Sequence, residues 1–396
     1  MTSRMRVHVL SGRTRKAFNS VYPLRTFRRG IRAKGLDVRF FFADEASLVN
    51  CDALCVLSEH WKEQSTSGHP SRPLDQLKRY RDAVPTLVWL DTSDSSGTTS
   101  FEVLPFVDLY AKSQLLRDRS KYTESFYGMR YYTDFYHRRE QVTDVREAWR
   151  QPADAAQLHK LAVSWNLGLG SYLQRSRAMT SRIGRLRFYW PYASYSCKGT
   201  RPDISSRDVD ISYRGRLDYG RETVTYQRRE AYRRVLEFAK GTGWKVAHSG
   251  RLPYRDYRQE MRRSKIVLSP FGFGEINIRD IECFTDGAAL VKPDMTHLVT
   301  WPDYFEAGVT YAPHAWYFSD FELTLDTLLA KPEERLAIAR AGQTRYLQSL
   351  SDEGETAFAD HFQRLLEGAR VGRRGVRQTG HGASDARVVI AQKIPS

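Results

Sequence analysis

Short apolar runs alternating with amphipathic stretches, twice over, predict an α/β chain of two Rossmann-like parallel-sheet domains with a disordered C-terminal tail. Three observations carry that expectation. Runs such as Ala53 to Leu57 and Ile266 to Leu268 are apolar at every position, as in strands buried on both faces. Segments long enough for a helix separate them, which suits right-handed crossovers between parallel strands. The alternation lapses between about 116 and 205, where Tyr, Arg and Trp crowd the chain, and then resumes. At 396 residues the chain is long enough for two ordinary domains. The expected division is 1–170, 171–205 as a crossing segment, 206–370, and a basic tail 371–396.

In the first stretch Val7 to Leu10 reads as a strand, followed by a loop with Ser11 and Gly12 and a helix from Pro23 to Lys34. Gly35 stops that helix. Strands follow at Val38 to Phe42 and Ala53 to Leu57, an amphipathic helix at Pro73 to Ala83, and strands at Thr86 to Leu90 and Val107 to Ala111. Ala155 to Leu167 is the helix expected of the irregular region. Alternation then gives a strand at Val209 to Tyr213, a long helix at Thr223 to Lys240, a strand at Trp244 to His248 and a helix at Tyr254 to Arg263. Helices at Phe321 to Leu329, Pro332 to Leu350 and Glu355 to Ala369 complete the pattern. Beyond them Gly, Arg and Ser dominate without helical period.

Composition narrows the function without naming it. The net charge is +16, but arginines are spread along the chain, and no helix-turn-helix, zinc finger or aromatic RNA-binding motif accompanies them. Such a surface also suits anionic small molecules and the anionic face of an inner membrane. No apolar run reaches about 18 residues, and the N-terminus is a poor signal peptide. The four cysteines, Cys51, Cys55, Cys197 and Cys283, lack metal spacing. A cytoplasmic protein, in places peripheral to a membrane, with reduced buried thiols is expected.

Residues 264 to 293 hold the densest signal. They read as a strand, a glycine loop from Pro270 to Gly274, a short helix begun near Asn277, and a strand from Ala289 to Val291. Asn277 suits an N-cap. Arg279 and Glu282 stand three apart, on one helix face. As a bare ion pair they would be worth only a few tenths of a kcal/mol, but their position after a glycine turn suits anion capture. The helix start and Arg279 can hold a diphosphate, and Glu282 can accept from ribose hydroxyls. Gly272 and Gly274 do not make a dinucleotide fingerprint, because Asn277 stands where its third glycine belongs. Arg214-Gly215-Arg216, after the strand at 209, offers guanidinium groups and close backbone approach to phosphate. Asp208-Val209-Asp210 imitates a metal-binding pattern but opens a strand, so solvated edge acids are expected there.

The run resembles the donor-binding segment of GT-B glycosyltransferases, in particular bacterial family-1-like and exostosin-like members. The residues that carry the resemblance are Ser264-Lys265, Pro270-Phe271-Gly272, Arg279-Asp280-Ile281-Glu282 and Asp286-Gly287-Ala288-Ala289-Leu290-Val291, extending to Trp301-Pro302-Asp303-Tyr304-Phe305. The resemblance implies the GT-B architecture, diphosphate contact for Arg279, ribose contact for Glu282 and no bound metal or other cofactor. Glu275 is grouped with the donor-binding residues. Its six-residue separation from Glu282 departs from the seven of the retaining subgroup's paired glutamates, so their first-glutamate role is not carried to it.

An inverting transferase needs a base in the first domain. Asp91 and Asp94, after the fourth strand, stand at the carboxyl end of a parallel strand, where active-site loops gather. His60, after the third strand, is the rival. Aromatic runs at Tyr131-Tyr132 and Phe188-Tyr189-Trp190 suit packing more than sugar stacking. The reading is a metal-independent transferase moving a sugar from a nucleotide-sugar donor to a glycan, lipid-linked or protein acceptor. A catalytically silent nucleotide-sugar-binding or scaffold protein is the alternative, and a basic nucleic-acid-binding protein a third.

Overall fold

A computed structural model of the chain describes residues 4–65, 72–169, 207–248 and 250–382. The expected crossing segment 171–205, the Phe188-Tyr189-Trp190 run and Cys197 lie outside the described residues.

Six parallel strands form the first sheet: β1 (Met5–Leu10), β2 (Leu36–Phe41), β3 (Ala53–Leu57), β4 (Leu87–Asp91), β5 (Leu109–Lys112) and, after three short strands to be described, β9 (Leu161–Val163). They are arranged β2-β1-β3-β4-β5-β9. The second sheet is built from β10 (Val209–Tyr213), β11 (Val246–His248), β12 (Ser264–Leu268), β13 (Ala289–Pro293) and β15 (Ala312–His314), in the order β11-β10-β12-β13-β15. Every pairing within the two sheets is parallel. The expected α/β architecture of two Rossmann-like domains is therefore present. The two orders begin alike, so each sheet has a switch point between its first and third strands, β1/β3 and β10/β12. Crossovers leave such a point in opposite directions, and the strand ends open a crevice there.

Most expected elements lie within a few residues of their predicted places, and Gly35 ends its helix with φ +75°. Two do not. The helix expected over Pro23–Lys34 is broken into α2 (Tyr22–Thr26) and α3 (Arg28–Ala33), and an unforecast α1 (Arg15–Ser20) precedes them. Pro23 stands in the first turn of α2, where its missing N–H is harmless, and cannot continue a helix begun at residue 15. The helix expected over Ala155–Leu167 is a 3₁₀ turn, Ala155–Lys160, followed by β9. Tyr110, Ala111 and Lys112 recruit Leu161, Ala162 and Val163 as an added strand, a tertiary contact that overrides local propensity. Two further helices, α4 (Ser58–Ser65) and α6 (Tyr131–Glu140), had no sequence forecast, whereas α5 (Arg72–Ala83) did.

The chain between β5 and β9 is an arm that belongs to the first sheet by sequence and grips the second domain by contact. Its β6 (Gln114–Leu116) pairs antiparallel with β14 (Leu298–Thr300), and further along β7 (Phe126–Tyr127) pairs with β8 (Trp149–Arg150). From α6 the Tyr132 ring packs 5.1 Å from Phe271, and the Tyr136 hydroxyl donates to the Trp316 carbonyl at 2.8 Å. The Asp144 carboxylate accepts from the Thr223 N–H at 2.9 Å, capping α7 (Glu222–Thr242). The chain end returns the grip. After α8 (Tyr254–Arg263), α9 (Ile278–Asp286), α10 (Phe321–Ala330) and α11 (Pro332–Gln348), the last helix α12 runs Asp352–Gly382, past the expected end at Ala369. It lies on the first domain: Glu355 accepts from the Gly30 N–H at 2.8 Å, and Phe358 packs 5.3 Å from Phe27. One apolar core consequently continues from β1 and β3 to Phe271, Ile276 and Ile281.

Candidate active site

The carboxyl ends of the two sheets face each other across a cleft of about 1320 Å³. Its second-domain wall begins at β10, which delivers Arg214, Gly215 and Arg216. The Arg214 guanidinium is held by Glu260 at 2.6 Å and by the His248 carbonyl at 2.9 Å. A Cβ on Gly215 would stand 2.9 Å from an Arg228 nitrogen and 3.1 Å from one of Arg279. Two cationic side chains thus meet at a bare backbone. Arg228, on α7, is buried, and its nitrogens donate to the carbonyls of Phe271 (2.7 Å), Pro270 (3.2 Å) and Arg216 (3.2 Å), tying the two loops together.

Asn277 caps α9 in a reciprocal capping box, its own N–H donating to Asp280 at 2.9 Å. Asp280 is in turn fixed by Lys292, whose Nζ lies 2.5 Å away with both side chains wholly buried. From this rigid helix start Arg279 and Glu282 face the cleft. They do not pair with each other: Arg279 donates to the Leu268 carbonyl at 3.2 Å, and Glu282 accepts from the Tyr257 hydroxyl at 3.0 Å. Burial raises the Glu282 carboxyl above its ordinary range, against the pull of Arg258, the Tyr257 hydroxyl and Arg279. A helix N-terminus ringed by guanidinium groups is suited to a diphosphate, with Glu282 one helical turn further along for hydroxyl groups.

The first-domain wall brings together three charged side chains. Lys16 of α1 reaches Asp94 at 2.7 Å and Glu59 at 3.7 Å. Glu59 opens α4 beside the switch point, only 9 % exposed at its side chain, and accepts from the Thr92 hydroxyl at 3.1 Å. Asp94 stands at the rim, 55 % exposed. Gly274 seals the meeting of the two domains, since a Cβ there would fall 1.9 Å from the Asp94 carbonyl oxygen.

Of the residues singled out in the sequence, Arg214, Arg216, Gly274, Asn277, Arg279, Glu282 and Asp94 share this cleft. Four do not reach it. Asp91 is fully buried, with Lys112 Nζ at 3.1 Å and the Tyr110 hydroxyl at 2.5 Å. Burial alone would raise its carboxyl, but Lys112, Tyr110 and Ser93 hold it below the ordinary range, so it is a strut beneath the loop rather than a base. His60 is buried beside Glu59 without lining the cleft, because neighbouring helical residues point about 100° apart. Gly272 is buried under Asn277, its carbonyl accepting from the Tyr132 hydroxyl. Glu275 points away from the cleft into the domain junction, accepting from Ser96 Oγ (2.6 Å), the Ser96 N–H (3.1 Å) and Gln114 Nε2 (2.9 Å). It joins the two domains and does not face the donor cleft. Asp208 and Asp210 sit at the opposite end of β10, paired with Arg263 and Lys265. Cys51, Cys55 and Cys283 are free, buried thiols as expected.

Sequence reading missed Glu59, Lys16 and Arg228. Glu59 carried a usable signal, as the second residue after a strand that closes a switch point. Arg228 carried none, being one arginine of several on a long helix.

In comparisons with known proteins, residues 219–352 match the family described as glycosyl transferase-like. The matched span lies within the second domain. The transferase class expected from the resemblance is thereby borne out, and the matched span contains Arg228, Arg279 and Glu282. No curated protein matches the chain. Among solved structures it is similar to HepE of Anabaena in complex with UDP-glucose, at 12 % identity over 91 % of this chain and 100 % of that one, TM-score 0.39. TarM of S. aureus is similar at 8 % identity over 79 % and 55 % of the two chains, TM-score 0.40. An α1,3-fucosyltransferase is similar at 9 % identity over 92 % and 90 %, TM-score 0.39. Among the described residues no helix is long and apolar enough to cross a membrane.

Proposed function

We propose that the chain transfers a sugar from a nucleotide-sugar donor to an acceptor hydroxyl, with the nucleotide on the second wall of the cleft and the acceptor on the first. The carrying observation is the convergence at one crevice of the capped start of α9, the arginine cluster and, opposite, two carboxylates. In this reading Arg279, Arg216 and Arg228 with the α9 N–H groups hold the diphosphate, and Glu282 accepts from the ribose. Glu59 takes the proton as the acceptor oxygen bonds to the anomeric carbon, and the C–O bond to the diphosphate breaks toward the arginines. Glu59 is preferred over Asp94 because it lies deeper and beside the switch point. The guanidinium groups supply countercharge for the leaving group without calling on a metal ion, so chelation with EDTA should leave turnover unchanged. The net charge of +16 supports work close to an anionic membrane surface on the cytoplasmic side. Glycan, lipid-linked and protein acceptors all fit this scheme.

A thermal-shift screen against UDP, GDP, CMP, dTDP and their common sugars tests the donor site. A stabilising shift in the wild type that is absent from Arg279→Ala is expected. No shift with any of them would overturn the donor assignment.

A further inference from the structure

The two walls of the cleft differ in charge, and the difference bears on the acceptor. The second wall presents Arg214, Arg216, Arg228, Arg251 and Arg279 against one carboxylate, Glu282. The first wall presents Lys16 against Glu59 and Asp94, both within ion-pair reach of its ammonium group. Among the described residues the one cation on the acceptor side is therefore already matched, and their side chains on this wall carry a surplus of negative charge.

Apart from Leu167, the rest of that wall is polar and uncharged among the described residues. Asn19 and Ser113 line it, and neither side chain has a hydrogen-bond partner among the described residues. Both are partly exposed. An amide and a hydroxyl left open in a concave site can donate to and accept from hydroxyl groups. Leu167 is the wall's one large apolar contribution among the described lining residues, which gives little surface for an aromatic or acyl aglycone.

We propose that the group seated on the first wall is an uncharged, polyhydroxylated sugar, held by Asn19 and Ser113, and that Glu59 and Asp94 select against acceptors bearing a carboxylate or phosphate at that position. This rests on the donor–acceptor reading above and names the acceptor chemistry of the same site. Discrimination arises from like-charge repulsion: a second negative charge a few ångströms from Asp94, near the protein surface, costs about a factor of ten in affinity.

The test is saturation-transfer NMR on the full chain, with whichever of UDP, GDP, CMP or dTDP binds held saturating. The probes are methyl β-glucoside, glucuronate and glycerol 3-phosphate. Binding of the glucoside is expected, with the two anions about tenfold weaker. Asn19→Ala and Ser113→Ala should each weaken the glucoside with nucleotide binding and thermal unfolding unchanged. Asp94→Asn should narrow the gap between glucoside and glucuronate. Equal or tighter binding of either anion by the wild type overturns the inference, as does a gap that Asp94→Asn leaves unaltered. Absence of any nucleotide binding would instead strike the donor reading, so the two failures are distinguishable.

Discussion

Each wall of the cleft stands on a wholly buried lysine–aspartate pair, and the two pairs do different things. In the first domain Lys112 lies 3.1 Å from Asp91 and donates to the Ser93 carbonyl at 3.0 Å, so it fixes a loop. In the second, Lys292 lies 2.5 Å from Asp280 and donates to the Glu275 carbonyl at 2.7 Å, so it fixes both a helix cap and the domain junction. A buried ion pair adds little net stability over an apolar pair, but losing one partner leaves an uncompensated charge. Similar buried pairs thus serve different parts of one site. The pair under the arginine wall sets the geometry of anion binding, and the pair under the carboxylate wall supports its own loop.

Lys112→Met and Lys292→Met break that comparison most strongly. Each should destabilise the fold by about 3–5 kcal/mol in chemical denaturation. Lys292→Met should also weaken nucleotide binding, because Asp280 loses its anchor, whereas Lys112→Met should leave it unchanged wherever the protein is folded. Adding Asp91→Leu to Lys112→Met should recover most of the loss.

The glycines sharpen it at smaller scale. Gly274→Ala sets a Cβ against a backbone oxygen, so denaturation should show a loss of about 1–3 kcal/mol. Gly215→Ala meets only arginine tips, which can shift. It should leave stability nearly unchanged and weaken nucleotide binding severalfold, measured by titration.

Glu275 gives the smallest effect, in pH. Burial raises its carboxyl above the ordinary value of 4.5, opposed by Ser96 and Lys112. The folded state then holds its proton where the unfolded state has released it. Its contribution to stability is greatest below 4.5 and declines as pH rises through the folded value. Glu275→Gln should flatten that part of the stability–pH curve, and an unchanged slope would show that the junction does not depend on this carboxyl.

The contrast between the walls also explains what could be read from the sequence. The arginine wall was legible because α9 and the strands flanking it form one contiguous run, so Arg279, Glu282, Asn277 and Gly274 announce one another. The carboxylate wall is assembled from α1, the start of α4 and the loop after β4, three segments that no spacing connects. Asp91 and Asp94 are three residues apart and chemically alike in sequence. Only the arrival of Lys112 and Tyr110 from the neighbouring strand turns one of them inward. The strands were legible from apolar runs, and β9 was not, because its place is set by β5. The arm between β5 and β9 was likewise hidden, since Tyr132, Tyr136 and Asp144 find their partners in the other domain.

The division of labour between the walls is tested most directly by calorimetric titration of UDP, GDP, CMP and dTDP into the wild type, Arg279→Ala and Glu59→Gln. Arg279→Ala should weaken the nucleotide that binds by about 10- to 100-fold, and Glu59→Gln should leave its affinity within about twofold while turnover falls by about 10²–10⁴. Equal loss of nucleotide affinity in both variants, or full turnover in Glu59→Gln, would contradict that division.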